Sequence, residues 1–189
     1  MHKSFRAYSL AALFIDAILL FSLSANGQEV KKELEPPATE QELLRVRGEG
    51  VQIYSCKADG TQPAWMLKAP EAELIDKDGK PFGKHFAGPA WQSIDGSQIT
   101  GKAAKSLPSP DAKSIPWLLV TVIDRSGEGV LSGVTFIQRL DTKGGKAPAA
   151  GCDAAHVGQE ARVPYSADYV FFVPNRADSV FRGRVFDLE

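Results

Sequence analysis

The amino-acid sequence predicts a mainly β protein, a single antiparallel β-sandwich or barrel domain with a short N-terminal helix. Three observations lead to this fold class. Strand-like runs of apolar and β-branched residues are short and closely spaced along the chain. The 17 glycines and 12 prolines supply the turns between these runs. Almost no segment keeps the 3.6-residue hydrophobic period of an amphipathic helix.

The first 27 residues have the features of an export signal. Lys3 and Arg6 make a basic start before an apolar stretch that runs from Ala7 to Leu23. Small residues at positions 25–27 offer a cleavage site. A permanent anchor is the alternative, but Asp16 inside the apolar stretch disfavours it, because a carboxylate is costly in lipid. We therefore expect a periplasmic or secreted protein with no permanent membrane span after signal removal.

The charge of the mature chain excludes one class of partner. The full chain has 22 basic and 23 acidic residues, and residues 1–27 contain two of the basic ones and one of the acidic ones. Signal removal therefore leaves 20 basic and 22 acidic residues, a net charge of −2. Because no basic stripe or block is present, no nucleic-acid partner is expected.

The chain is expected to have three parts. These are the signal peptide 1–27, an exposed arm 28–41 and a single β-rich domain 42–189. The arm is charged and contains Pro36 and Pro37, a composition that is typical of exposed, extended segments. No internal repeat and no domain-sized linker interrupts the domain.

A short helix is predicted where the arm meets the domain. Thr39 followed three residues later by Glu42 has the pattern of a helix capping box. The apolar residues at 43–46 would supply one face, and Gly48 and Gly50 would end the helix after one or two turns.

Short alternating or apolar runs then predict the strands of the domain. Asp76-Lys77-Asp78-Gly79 is the clearest turn, and it makes 73–75 and 81–86 the partners of a hairpin. A second hairpin loop is expected at 124–129. The predicted strands are residues 51–56, 64–68, 72–75, 83–86, 89–94, 98–100, 116–123, 130–140 and 169–173, with a further edge strand within 178–189.

One of these runs is expected to lie deeper than the others. Residues 115–123 form the most apolar segment of the mature chain and predict a strand that is buried on both faces. Pro116 is expected at the start of this strand, where a backbone donor is not needed.

The chain has two cysteines, Cys56 and Cys152. In an oxidising compartment two cysteines most simply form one structural disulfide, which we prefer over a metal pair or a reactive thiol. The mature chain has only two histidines, so no metal site and no cofactor is predicted.

The first candidate site is the segment 83–97, which places polar side chains and an aromatic ring among glycines. Its candidate binding residues are His85, Trp91, Asp95 and Ser97, and Tyr165 is added as a second ring in a loop-like setting. We expect Trp91 and Tyr165 to be exposed, whereas Trp117 and Trp65 are expected in the core. The alternative is structural: Trp91 is core, His85 is a satisfied strand-end histidine, and Asp95-Gly96 is a turn.

An ordered series of segments resembles a known family. Among them are Gly50-Val51-Gln52-Ile53-Tyr54-Ser55-Cys56, Gly88-Pro89-Ala90-Trp91, Ile115-Pro116-Trp117-Leu118-Leu119 and Val163-Pro164-Tyr165-Ser166-Ala167-Asp168-Tyr169. Together they are similar to domain-of-unknown-function family 3455 of exported bacterial and fungal proteins, over residues 42–173. The resemblance implies a common fold, and no established activity comes with it.

Three functions remain open from the sequence. The leading hypothesis is a small-molecule or glycan binding or cell-envelope module in which His85, Trp91 and Asp95 line one concave surface. The second is an extracytoplasmic hydrolase with His85 as acid or base and Asp95 as its partner, although no nucleophile motif supports it. The third is a purely structural envelope protein, in which His85 would be buried. The catalytic residues, if any, and the oligomeric state are unknown from sequence.

Overall fold

A computed structural model describes residues 31–60 and 62–175 of the 189-residue chain. The chain divides into two units, Met1–Glu33 and Leu34–Glu189. Of the first unit only residues 31–33 are described, and they are helical. The predicted signal peptide and the predicted edge strand within 178–189 lie outside the described residues.

Within residues 31–60 and 62–175, eight antiparallel strands form a closed barrel in which each strand pairs with the next in sequence and the last pairs with the first. The mainly β prediction is therefore confirmed, and of the two predicted architectures, sandwich and barrel, the barrel is the one found. The strands are β1 (Glu40–Asp59), β2 (Gln62–Ile75), β3 (Pro81–Phe86), β4 (Ala90–Ser93), β5 (Gln98–Leu107), β6 (Trp117–Ser126), β7 (Phe136–Gly144) and β8 (Glu160–Pro174).

The helix predicted after Thr39 is wrong, because this segment is the beginning of β1. Residues 40–55 pair with β8, so tertiary pairing prevails over the local capping pattern. Gly48 and Gly50 lie inside the strand instead of ending a helix. A Cβ on Gly48 would lie 2.6 Å from Cε2 of Tyr169, so the absence of a side chain lets this ring pack against the strand.

The other predicted strands within the described residues overlap observed ones, but the run 130–140 is only partly correct. β6 ends at Ser126 and β7 begins at Phe136, so residues 130–135 lie in the loop between them, and the loop predicted at 124–129 begins only at residue 127. The hairpin around the turn at 76–79 is confirmed, with Leu74 opposite Gly83. Residues 64–68 and 72–75 are parts of one longer strand, β2, and β1 and β8 are also much longer than predicted. Long strands of this kind are needed to close a barrel whose strands are tilted and staggered.

The prediction that 115–123 is buried on both faces holds for the first part of β6, residues 117–122, which are all buried or partly buried. Leu119 and Val120 are successive residues on opposite faces, and both are at most 4% exposed. Val120 belongs to the interior core, whereas Leu119 lies opposite Gln138 on the outer face. Pro116 and Ile123 are the exceptions, since Pro116 is exposed and Ile123 is 60% exposed.

Part of the outer face is also covered. Gln138 is buried, and its Nε2 donates a hydrogen bond of 2.9 Å to the backbone oxygen of Leu34. Leu34 itself is fully buried, although most other described residues of the segment 31–39 are exposed. Within the described part of the chain, no helix is long and apolar enough to cross a membrane.

Candidate functional site

The interior of the barrel contains an aromatic stack formed by His85, Trp91 and Tyr169. His85 on β3 lies directly opposite Trp91 on β4, and their ring centroids are 4.3 Å apart at an angle of 13°. Tyr169 on β8 approaches His85 at 5.1 Å and Trp91 edge-on at 5.8 Å. Offset and edge contacts of this kind are favourable beyond the area they bury.

The expectation that Trp91 is exposed is wrong, because Trp91 is only 2% exposed. β4 begins directly after Pro89. Side chains alternate between the two faces of this strand, and this alternation directs Trp91 inwards beside Ile99 of the core. The Nε1 donor of Trp91 has no hydrogen-bond partner among the described residues.

His85 is held as a neutral imidazole. It is 3% exposed, and its Nδ1 lies 2.8 Å from the backbone oxygen of Ala90. Because a carbonyl oxygen only accepts hydrogen bonds, Nδ1 carries the proton in this pair. Burial lowers the pKa of His85 to about 3, since charging the ring would require a positive charge inside the barrel.

Tyr165 also lies inside the barrel, so the expectation that it is exposed is wrong. It is 5% exposed, and its hydroxyl is 3.2 Å from that of Tyr169. The segment around it is not a loop, because β8 extends back to Glu160 and places Tyr165 opposite Gly50. Burial raises the pKa of Tyr165 well above its usual range.

Asp95 and Ser97 form a different feature, a turn cluster that also includes the backbone of Val130 and Leu131. Asp95 Oδ1 accepts hydrogen bonds from Ser97 Oγ at 2.6 Å and from Ser97 N at 2.9 Å. Its Oδ2 accepts from Val130 N at 2.8 Å, and Ser97 Oγ accepts from Leu131 N at 3.1 Å. The hydrogen bond from Ser97 Oγ, followed by that from Val130, lowers the pKa of Asp95 to about 2.

The turn cluster therefore fastens the loop between β6 and β7 to the turn between β4 and β5. Asp95 is not the partner of His85, whose Nδ1 is bound to Ala90. Ser97, His85 and Asp95 do not form a catalytic triad either, because Ser97 Oγ bonds to Asp95 whereas His85 Nδ1 bonds to the backbone oxygen of Ala90.

A groove lies where β1, β2 and β3 run side by side, and His85 is one of its lining residues. We name it the His85 groove. Gly50, Ala72 and His85 are consecutive cross-strand neighbours at its centre. A Cβ on Gly50 would lie 2.1 Å from the backbone oxygen of Glu71, so only glycine allows the two strands to approach so closely. The groove has a volume of about 430 Å³.

Charged side chains of both signs surround this groove. Arg162 on β8 reaches Glu71 on β2 with an Nη2 to Oε1 distance of 2.6 Å, and the hydrogen bond from Arg162 lowers the pKa of Glu71. Lys84 lies 3.8 Å from Glu73 on the neighbouring strand. The full lining is Glu49, Gly50, Val51, Glu71, Ala72, Glu73, Lys84, His85, Phe86 and Arg162.

Sequence reasoning missed most of this lining. Its charged members come from β1, β2, β3 and β8, so they are far apart in the chain, and only Lys84 and Phe86 flank a residue that the sequence singled out. The strand register of the barrel places these residues side by side, and this register cannot be read from a single sequence.

The predicted disulfide between Cys56 and Cys152 is confirmed, with a Cα–Cα distance of 5.3 Å. It ties β1 to the long loop between β7 and β8. Trp65 donates a hydrogen bond of 2.9 Å to the backbone oxygen of Ala150 in the same loop. Trp65 is only partly buried and its neighbour Leu67 is 57% exposed, so the expected core position of Trp65 is not found.

Among the described residues, no group of three or more histidine, cysteine, aspartate or glutamate side chains is arranged to bind a metal ion. The pair formed by His156 and Asp153, 2.6 Å apart, provides two such groups on an exposed loop.

The fold defines a class, a small closed barrel of eight antiparallel strands that is tied by one disulfide. The chain belongs to the family described as protein of unknown function (DUF3455), whose model matches residues 37–173. This match covers the barrel from before β1 almost to the end of β8 and confirms the resemblance seen in the sequence. No curated protein and no solved structure shows a significant similarity to the chain.

Proposed function

We propose that this protein is a periplasmic or secreted binding protein that takes a carbohydrate or a similar polar small molecule in the His85 groove. The observation that carries the proposal is a groove of about 430 Å³, within the range of small-molecule sites, at the centre of the described barrel wall. The predicted export signal and the disulfide support the location, because disulfides persist in oxidising compartments.

The lining suits a hydroxyl-rich ligand. The carboxylates of Glu49, Glu71 and Glu73 accept hydrogen bonds, while Lys84 and Arg162 donate them. Phe86 contributes an aromatic ring and Val51 an apolar side chain, which suit the apolar face of a sugar ring. Because acidic and basic groups nearly balance, the groove favours a neutral ligand over a strongly charged one.

Two of the functions left open by the sequence have unequal support. A hydrolase that uses His85 as acid or base has little, because burial lowers the pKa of His85 to about 3 and its partner is the backbone oxygen of Ala90. A purely structural protein is the second candidate, because that hypothesis predicts a buried His85 and the ring is 3% exposed.

The test is a thermal-shift screen of the oxidised mature protein against mono- and oligosaccharides and neutral polyols. A ligand of the native state raises the free energy of unfolding by about 2.7 kcal/mol at about 100 times its Kd. We expect a reproducible rise in Tm with at least one sugar class. The rise should be lost in Arg162→Met, which removes one charged group from the groove.

Lys68→Met is the matched control. Lys68 and Glu160 form an exposed ion pair at 2.5 Å, comparable to that of Arg162 and Glu71, but neither residue lines the groove. The control should keep the ligand-induced rise in Tm. If no ligand shifts Tm, or if Arg162→Met and Lys68→Met respond alike, binding in this groove is wrong and the structural function is favoured.

A further inference from the structure

The first residues of β1 have an edge that no other described strand covers. Pairing between β1 and β8 extends over residues 40–55 of β1. Pairing between β1 and β2 begins only at Arg47, opposite Ile75. Among the described residues, the backbone of residues 40–46, which we name the β1 edge, is therefore paired on one side only. Such an edge is a template for a further strand.

A cleft with a volume of about 790 Å³ lies along this edge. Residues 42–47 line one side of it and residues 75–78 the other. Much of the lining is apolar, with Leu44, Val46 and Phe82. Leu43 at the centre of the edge is 40% exposed. An apolar cleft beside an unpaired strand edge is a surface that a protein partner commonly covers.

The sequence of this edge is complementary to itself in the antiparallel direction. Residues 40–47 read Glu-Gln-Glu-Leu-Leu-Arg-Val-Arg. A two-fold axis between Leu43 and Leu44 would place Glu42 opposite Arg45 of a second copy, and Glu40 opposite Arg47. Opposite charges on directly facing residues stabilise an antiparallel pair, and a two-fold interface uses the same patch on both chains.

This pairing requires the facing side chains to lie on the same face of the sheet. In a regular strand Glu42 and Arg45, three residues apart, would point to opposite faces. A bulge between Glu42 and Leu44 adds one residue to β1 and changes this. Glu42 lies opposite Phe172 of β8 and Arg45 opposite Val170, two residues along, so both are on one face.

The two outer charges follow the same pattern. Glu40 lies opposite Pro174 and Arg47 opposite Asp168, again separated by even steps along β8. All four charged residues therefore share the face that the pairing needs. The backbone pairing would cover residues 41–46, because Arg47 already pairs with Ile75 and the chain turns at residues 37–40, where Glu40 N donates to Pro37 O.

We propose that the β1 edge pairs with the β1 edge of a second copy of this chain and forms a two-fold symmetric homodimer. The charge complementarity of residues 40–47 identifies the partner as the chain itself. Arg45 and Glu42, which lie 3.4 Å apart within one chain, exchange partners across the axis, and their side chains are 44% and 47% exposed. The interface and the His85 groove share no lining residue but are adjacent, because Arg47 donates a hydrogen bond of 2.7 Å to Glu49 of the groove.

The experiment is sedimentation velocity on the full mature protein over a concentration series. We expect a wild-type species with twice the chain mass. In Arg45→Glu the facing residues are both acidic, and in Glu42→Arg they are both basic. Each variant should therefore raise the dimer dissociation constant about tenfold or more. An equimolar mixture of the two variants should recover the dimer as a heterodimer, because each Glu then faces an Arg.

Lys68→Glu is the matched control, since it reverses an exposed charge outside the edge. It should leave the dimer intact. The Tm of each variant, compared with that of wild type, shows whether it is folded. A wild-type chain that stays monomeric at all concentrations would overturn the proposal. Single variants that keep the dimer mass, or a mixture that stays monomeric, would also overturn it, whether or not a foreign peptide binds the cleft.

Discussion

Two regions that both include residues of the segment 83–97 lie in different parts of the barrel. The aromatic stack of His85, Trp91 and Tyr169 lies inside the barrel, whereas the turn cluster around Asp95 and Ser97 lies at its end. The sequence places His85 and Asp95 only ten residues apart, and the hairpin of β3 and β4 separates them. In a β protein, closeness in sequence therefore says little about a shared site unless the face and the strand end are known.

The comparison extends to the charges of the two regions. The pKa values of His85 and Asp95 are both lowered, but for opposite physical reasons. Burial lowers the pKa of His85 because it excludes the charged form. Hydrogen bonds lower the pKa of Asp95 because they stabilise the charged form. A lowered pKa thus marks a neutral residue in the stack and an anion in the turn cluster.

Trp91→Ala should show the largest effect that separates the two regions. It removes a large side chain that is 2% exposed and packs against His85 and Tyr169. We expect the free energy of unfolding to fall by about 3 to 5 kcal/mol, because the cavity cannot collapse fully. Urea unfolding of the oxidised protein measures this.

Trp65→Ala is the control for that measurement, since Trp65 is only partly buried. Trp65→Ala should lower the free energy of unfolding clearly less than Trp91→Ala does. If both substitutions lowered the free energy of unfolding equally, Trp91 would not be part of a packed core, and the aromatic stack would not be the more stable of the two regions.

The fold class was predictable because short runs and turns are local properties. The hairpin at 73–86 followed from Asp76 to Gly79 alone, and the disulfide followed from two cysteines in a chain with a predicted export signal. The N-terminal helix was wrong because the capping pattern at Thr39 is also local, while the strand is fixed by pairing with residues up to Pro174. The single-sequence pattern contains no information on that pairing.

The candidate site was less predictable for the same reason. His85 was identified, and it is among the residues that line the groove, but its ring is buried inside the barrel against Trp91. Trp91 and Tyr165 were expected at the surface because each follows a proline, but both lie in strands and face the interior. Arg162 and Glu71 could not be found from the sequence, because only the register of β8, β1 and β2 brings them to 2.6 Å.

The pH dependence of stability is expected to be similar in size to the effect of Trp91→Ala, because about 1.4 kcal/mol per pH unit between pH 6.5 and 3 amounts to about 5 kcal/mol. The pKa of His85 is about 3 in the folded protein and 6.5 as the ordinary value, so the unfolded chain binds a proton first as the pH falls. Stability should therefore decrease from about pH 6.5 downwards, by about 1.4 kcal/mol per pH unit, until about pH 3. Urea unfolding at several pH values measures this slope.

His85→Gln should flatten the profile between pH 6.5 and 4, since glutamine retains a donor for the Ala90 oxygen but does not titrate. Asp95→Asn should change the profile only below about pH 4. The pKa of Asp95 is about 2 in the folded protein against 3.8, so its contribution is present above 3.8 and is lost towards 2. A His85→Gln profile as steep as wild type would refute the neutral, buried histidine.

Ser97→Ala should show the smallest effect, and it tests the turn cluster alone. Ser97 is fully buried, donates to Asp95 and accepts from Leu131 N. Its removal leaves that backbone donor without its acceptor, so we expect a loss of about 1 to 2 kcal/mol. Hydrogen exchange should accelerate at Leu131 and Val130 before it changes in the strands, because the loop opens locally.

Ser132→Ala in the same loop is the control, since the Ser132 hydroxyl donates to Gly129 O at 2.7 Å within that loop. Equal exchange rates in the two variants would mean that Ser97 and Asp95 do not fasten the loop.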